Sequence, residues 1–139
     1  MKNSPTPQQT LNPFDQLGGT LQVEKLARSF YSYMAREEKE LAGVHQLDDR
    51  GEIKDDAVLR FSAFLHEWLG GPANYSPTYG HPRLRMRHSK VKIDSKMRDA
   101  WLRCMSHALD KIGAQGDVRS FLDARFADVA NFLRNHPDS

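Results

Sequence analysis

Apolar residues recur along most of this chain at intervals of three and four, the spacing that lines side chains along one face of an α-helix. Val23, Leu26, Ala27, Phe30, Tyr31 and Met34 keep that interval and predict a helix capped by Thr20. Tyr31 falls on the apolar stripe, and Tyr33 points elsewhere. Ahead of this helix, Phe14 to Leu17 reads as a short turn closed by Gly18-Gly19. The helical pattern dissolves into the charged residues 36–40, and a polar connection with Gly43, His45, Asp48, Asp49 and Gly51 follows. A further helix from about Asp55 to Leu69 sets Ala57, Phe61, Phe64, Leu65 and Trp68 on one stripe and stops at Gly70-Gly71-Pro72. Residues 73–93 show no sustained period. Leu84 and Met86 alternate with arginines, which alone would suit a strand, but no other segment offers a pairing partner. Asp94 or Ser95 caps a helix carrying Met97, Trp101, Cys104, Met105, Ala108, Leu109 and Ile112, which ends at Gly113. Asp117 opens the last helix, where Val118, Phe121, Leu122, Val129, Phe132 and Leu133 recur near the helical period.

Four amphipathic helices without βαβ alternation predict an all-α sandwich of helix pairs. The chain has 139 residues, 39% of them hydrophobic, which suits one domain with a single core over residues 14–139. Residues 1–13 are polar, contain three prolines, and read as a flexible arm. Neither a membrane-spanning apolar run nor a secretory cleavage signal appears, so the expected location is the cytoplasm, away from any membrane. Cys104 stands alone, cannot form an internal disulfide, and reads as a small buried hydrophobe.

A net charge of +2 argues against a global attraction for nucleic acid. The local exception is the run Arg83, Arg85, Arg87, Lys90 and Lys92, which supports the alternative of a small helical nucleic-acid-binding module using residues 83–92. That module would bind with a steep salt dependence. Against it, the run holds no stacking aromatics and the chain no helix-turn-helix signature. A cofactor-free interaction module is a third class. His88 closes the irregular segment, and a helix bearing Trp101 follows, the arrangement of an axial metal ligand and its pocket. Taken singly, a histidine in a basic loop is a solvated side chain, and Tyr31 and Trp101 on apolar stripes are core.

The flanking residues decide between these readings. Gly70-Gly71-Pro72, Tyr75, the run from Gly80-His81-Pro82 through Arg83-Leu84-Arg85-Met86-Arg87-His88, and then Arg98-Asp99-Ala100-Trp101-Leu102-Arg103-Cys104-Met105 are similar to the group II truncated haemoglobins. Phe14-Asp15, Gly18-Gly19, Arg28 and Phe30-Tyr31 resemble that family's opening, so the likeness runs from about residue 14 to residue 134. The resemblance implies a two-over-two helical sandwich enclosing haem. No Cys-x-x-Cys-His is present, so the haem would be the removable b type. His88 corresponds to the proximal iron ligand, Tyr31 to the distal tyrosine, and Trp101 to the distal-side tryptophan. His45 takes the place of a third distal residue. It could donate to a bound gas or act as a sixth iron ligand, because residues 46–54 look longer than the family norm. Phe61, Phe64 and Met86 would pack on the macrocycle. Arg87 and Lys92 would meet its propionates, with Tyr75 as a hydroxyl donor. Ala57 would leave the entry path open.

Two donors on a partly negative bound ligand, each worth about 1.5 to 3 kcal/mol, would slow oxygen release. The resemblance therefore implies binding of oxygen, nitric oxide, carbon monoxide or peroxide for redox chemistry or sensing rather than bulk oxygen transport. Nitric oxide dioxygenase or peroxidase-like turnover would need a reductase partner. The expected assembly is a monomer or weak dimer.

Overall fold

The computed structural model describes residues 12–83, 88 and 91–138. The expected arm, up to residue 11, and the expected haem contacts Met86 and Arg87 lie outside the described residues. Among the described residues seven helices run in order: α1 (Pro13–Leu17), α2 (Thr20–Glu37), α3 (Lys39–Ala42), α4 (Asp55–Trp68), α5 (Ser76–Tyr79), α6 (Ser95–Lys111) and α7 (Gly116–Leu133). In the same residues β pairing is limited to one isolated antiparallel bridge, Leu47 to Ile53. The architecture is the all-α, two-over-two sandwich expected. Helix α2 packs most extensively on α6 and next on α4, and α6 carries α7. No described helix is long and apolar enough to cross a membrane.

Helix α1 is built by its cap. The Asn12 side chain accepts from Asp15 N at 2.9 Å and donates to the Gly70 carbonyl at 2.6 Å, while Phe14 N donates to the Leu69 carbonyl at 3.0 Å. Asn12 and Pro13 thus join the folded body and dock α1 on the end of α4. Gly71 permits that docking, since a Cβ there would sit 2.5 Å from the Phe14 ring. Gly18, at φ 112°, supplies the left-handed turn out of α1.

The structure departs from the sequence pattern in four places. Thr20 is the first helical residue rather than the cap, because Gly19 holds the cap position and no side chain bonds there. Helix α2 continues through the charged stretch to Glu37, and α3 follows with Leu41 and Ala42 buried. Arg, Lys and Glu are strong helix formers, so charge alone does not end a helix. On α4 the deeply buried face is Val58, Ser62, Leu65 and His66, whereas Phe61, Phe64 and Trp68 are half-buried. On α7 the buried residues are Leu122, Phe126 and Ala130, and Phe121 and Phe132 are half exposed. Helix α7 is rolled so that Phe126 stacks on Trp68 at 4.8 Å and meets Trp101 at 5.8 Å.

The polar connection after α3 is tightly folded. Asp48 Oδ1 accepts from Arg50 N at 2.8 Å and from Glu52 N at 3.0 Å, and the turn returns Ile53 to the core. Asp94 caps α6 as expected, accepting from Met97 N at 3.1 Å. The roll of α7 is testable by mutation. Phe126→Ala is expected to cost the apoprotein about 3 to 5 kcal/mol in urea unfolding, and Phe121→Ala well under about 1 kcal/mol. Equal losses would contradict the assignment.

Candidate functional site

Phe30 is the point on which the site turns. It is 1% exposed, and its ring meets Tyr31 at 5.0 Å on α2, Phe61 at 4.9 Å on α4 and Trp101 at 5.4 Å on α6. One phenyl ring therefore ties three elements together and touches both Tyr31 and Trp101. Tyr31 also contacts Phe61 and His45, each at 5.5 Å and edge-on. The wall extends along α4, where Phe61 and Phe64 lie nearly parallel at 6.3 Å and an interplanar angle of 10°. Phe64 then meets Tyr75 at 5.7 Å.

His45 has a determinate proton. Its Nδ1 lies 3.1 Å from the Leu41 carbonyl oxygen, which can only accept, so Nδ1 carries the hydrogen and Nε2 presents a lone pair. Burial pushes the His45 pKa below the ordinary histidine value, the Leu41 hydrogen bond partly opposes this, and the nearby His88 lowers it further. Burial thus favours the neutral imidazole, and His88 lies within electrostatic reach of it. Burial drives the Tyr31 pKa well above its ordinary 10.0, with the Arg60 cation acting weakly the other way. Tyr31 remains a phenol, and hence a donor, across the physiological range. Among the described residues no hydrogen bond engages the Tyr31 hydroxyl, the Trp101 indole N–H or His45 Nε2.

The other expected residues lie around this cluster. His88 is half-buried, and its carbonyl accepts from Val91 N at 3.1 Å. Tyr75 is buried against Phe64 and Tyr79, held by Glu67, whose carboxylate accepts from Ser76 N at 2.9 Å and from the Ser76 hydroxyl. Lys92 is exposed on the rim of a groove of about 420 Å³ that it shares with Glu40, Val44 and Met97. Ala57 is half-buried at the start of α4.

Three residues escaped the sequence reading. Arg60 lies at the rim, close enough to bear on Tyr31 and with its guanidinium 5.1 Å from the Tyr79 ring; its signal was its place immediately before Phe61. Phe126 backs Trp101 and Trp68 from α7. His66 is buried, its Nδ1 is 2.7 Å from the Ser62 carbonyl, and its Nε2 has no partner among the described residues. His81 Nδ1 accepts from Arg83 N at 3.1 Å, where Arg83 adopts φ 47°.

A flat iron macrocycle requires an imidazole on one side, planar apolar walls, and few but well-placed polar groups on the other. His88, the Phe61–Phe64 wall, and the unpaired polar atoms of Tyr31, Trp101 and His45 fit that requirement. On this sandwich, such a set is the arrangement of a truncated globin. The sequence matches the bacterial-like globin family over residues 12–135. It is 41% identical over 76 residues to the group 2 truncated haemoglobin YjbI of Bacillus subtilis, covering 55% of this chain and 58% of that relative. The fold superposes on the group II truncated haemoglobin of Bacillus anthracis with a TM-score of 0.83, 33% identity, and coverage of 99% of this chain and 97% of that one. It also superposes on a truncated oxygen-avid haemoglobin from Bacillus subtilis with a TM-score of 0.80 at 31% identity, covering 90% and 100% of the two chains. The chain belongs to the bacterial-like globin family, among its group II truncated haemoglobins.

The buried phenol yields a pH prediction. Its proton is held more tightly in the folded chain than in the unfolded one, so its contribution to stability is complete below the ordinary phenol value and declines as pH rises above about 10. Tyr31→Phe is expected to remove the last-ionising component of the phenolate absorbance titration and to flatten the alkaline fall in stability. An unchanged titration would show that this phenol is not the buried one.

Proposed function

We propose that this chain is a haem-based oxygen-binding protein whose distal side is arranged to retain its ligand. The observation that carries the reading is the placement of Tyr31 and Trp101 against Phe30, with His45 against Tyr31 and His88 within electrostatic reach of His45. His88 would hold the iron from the proximal side, its imidazole neutral as ligation requires. Phe61 and Phe64 would cover the ring, and Lys92, Arg87 and Arg60 are the cations for its propionates. Met86 and the Tyr75 hydroxyl complete the contacts assigned to it. The haem is b type, since no thioether attachment pattern exists in the sequence. When bound it supplies a ferrous iron that takes oxygen, nitric oxide, carbon monoxide or, in its oxidised chemistry, peroxide.

The chain's own residues decide how firmly a ligand is held. Tyr31, kept protonated by burial, donates through its hydroxyl, and Trp101 donates through an indole N–H that can do nothing else. Both sit among aromatic rings, where a hydrogen bond is stronger than in water. His45 plays a different part. With its proton committed to the Leu41 carbonyl, Nε2 is a Lewis base rather than a donor, which favours iron ligation in the absence of a gas over support of a bound one. Strong retention suits redox chemistry with a reductase, or sensing, better than bulk carriage. The oxygen-avid relative from Bacillus subtilis supports this reading. No described feature favours the nucleic-acid alternative, whose described cations Arg83 and Lys92 are exposed without a ring from the same stretch beside them.

Oxygen dissociation followed by stopped flow tests the distal assignment. Tyr31→Phe and Trp101→Phe should each accelerate release by roughly tenfold or more, and the double variant by less than the product because both donors address one ligand. Unchanged rates in both single variants would exclude them. His88→Gly should lose stable haem and regain it with free imidazole. For His45, the ferrous gas-free spectrum is decisive. Six-coordinate iron that becomes five-coordinate in His45→Ala supports ligation, and five-coordinate iron in the unmodified protein refutes it.

A further inference from the structure

After α7 ends at Leu133, the chain turns back across the stretch that carries His88, and one exposed side chain makes the junction. Asn135 Oδ1 accepts from Ile93 N at 2.8 Å, while Asn135 N and His136 N donate to the Ile93 carbonyl at 2.8 and 3.1 Å. The other end of the same amide reaches further toward the histidine. Asn135 Nδ2 donates to the Val91 carbonyl at 2.9 Å and to the His88 carbonyl at 3.4 Å. Both ends of this amide thus reach the backbone of His88, Val91 and Ile93, while Oδ1 also lies 3.0 Å from His136 Nδ1.

His88 is itself helical and its carbonyl also accepts from Val91 N at 3.1 Å, so the Asn135 amide adds a hold on that peptide unit from a segment more than forty positions away. Two further bonds brace the tail itself. Asp138 Oδ1 accepts from Ser95 N at 3.0 Å, which holds its carboxyl below the usual carboxylate range, and Asn131 Oδ1 accepts from Arg98 Nη1 at 3.1 Å. These brace the start of α6 rather than the histidine. Asn135 is the tail residue that reaches the ligand's own peptide unit.

We infer that Asn135 is a positioning residue for the proximal histidine: by holding the His88 and Val91 carbonyls from the C-terminal tail, it sets the direction in which the His88 imidazole meets the iron. The inference rests on the haem reading above. An iron–histidine bond is sensitive to imidazole tilt, and a backbone free to rock spreads that tilt over a range. A C-terminal segment remote in sequence would then tune proximal strain, and with it haem retention and ligand affinity.

The test compares holoproteins. The resonance Raman iron–histidine stretch is recorded on the ferrous form, or on its carbon monoxide photoproduct where a sixth ligand hides the band. Asn135→Ala should shift and broaden the band and speed haem transfer to apomyoglobin by roughly fivefold to tenfold. Asn135→Asp keeps the acceptor for Ile93 N but replaces the donor facing two carbonyls with an oxygen, so it should perturb the band at least as much. Asp138→Ala removes a bond of the same tail away from the histidine and should lower stability with the band unmoved. A wild-type band and transfer rate in Asn135→Ala, or an equal band shift in Asp138→Ala, would overturn the inference. Failure of the haem reading is distinct, because the unmodified protein would then show no iron–histidine band at all.

Discussion

The burial of Phe30 between three helices is the constraint on which the rest of the site depends. A ring at the crossing of α2, α4 and α6 touches Tyr31, Phe61 and Trp101 at once, and Phe61 in turn meets Tyr31. Protein interiors are packed nearly as tightly as crystals, so such a ring leaves its neighbours little freedom. The distal polar groups are therefore positioned by apolar packing rather than by hydrogen bonds to one another. Among the described residues the Tyr31 hydroxyl, the Trp101 indole N–H and His45 Nε2 have no hydrogen-bond partner, and groups fixed in this way are preorganised dipoles.

Electrostatics then divides the work among similar-looking polar residues. Burial acts in opposite directions on the pKa values of Tyr31 and His45, holding the first protonated and the second uncharged. Both remain neutral, but one offers a hydrogen and the other a lone pair. The difference comes from a single backbone contact, the Leu41 carbonyl, which exists because α3 ends one turn before His45. Around His88 the contacts are to backbone, where Asn135 of the C-terminal tail bonds His88, Val91 and Ile93.

Much of this was legible in the amino-acid order, and the physics shows where legibility stopped. The stripes of α2 and α6 are visible as spacing because each helix buries one continuous face. The family resemblance was carried by the residues flanking His88, since a histidine in a basic loop carries no signal of its own. The faces of α4 and α7 were misjudged for a common reason. Periodicity reports that a helix has an apolar side but not which partner it meets, and on α4 the aromatic stripe lines the site while Leu65 and His66 fill the core. On α7 Phe126 outweighs the more regular Phe121 and Phe132 because it is buried against two tryptophans while they are half exposed. Helix α3 was hidden by its charge. Asn135 was invisible for a different reason: its partners are backbone atoms more than forty positions away, and backbone atoms leave no trace in a sequence.

The central claim is that the pocket bounded by His88, Phe61, Phe64, Tyr31 and Trp101 takes up one haem. Titration of the refolded, colourless protein with haem, followed by absorbance, tests it most directly. The account requires an intense Soret band that saturates at one haem per chain, with a ferrous carbon monoxide spectrum characteristic of histidine-ligated iron. A linear rise without saturation, or a protein that stays colourless after separation from free haem, would contradict it.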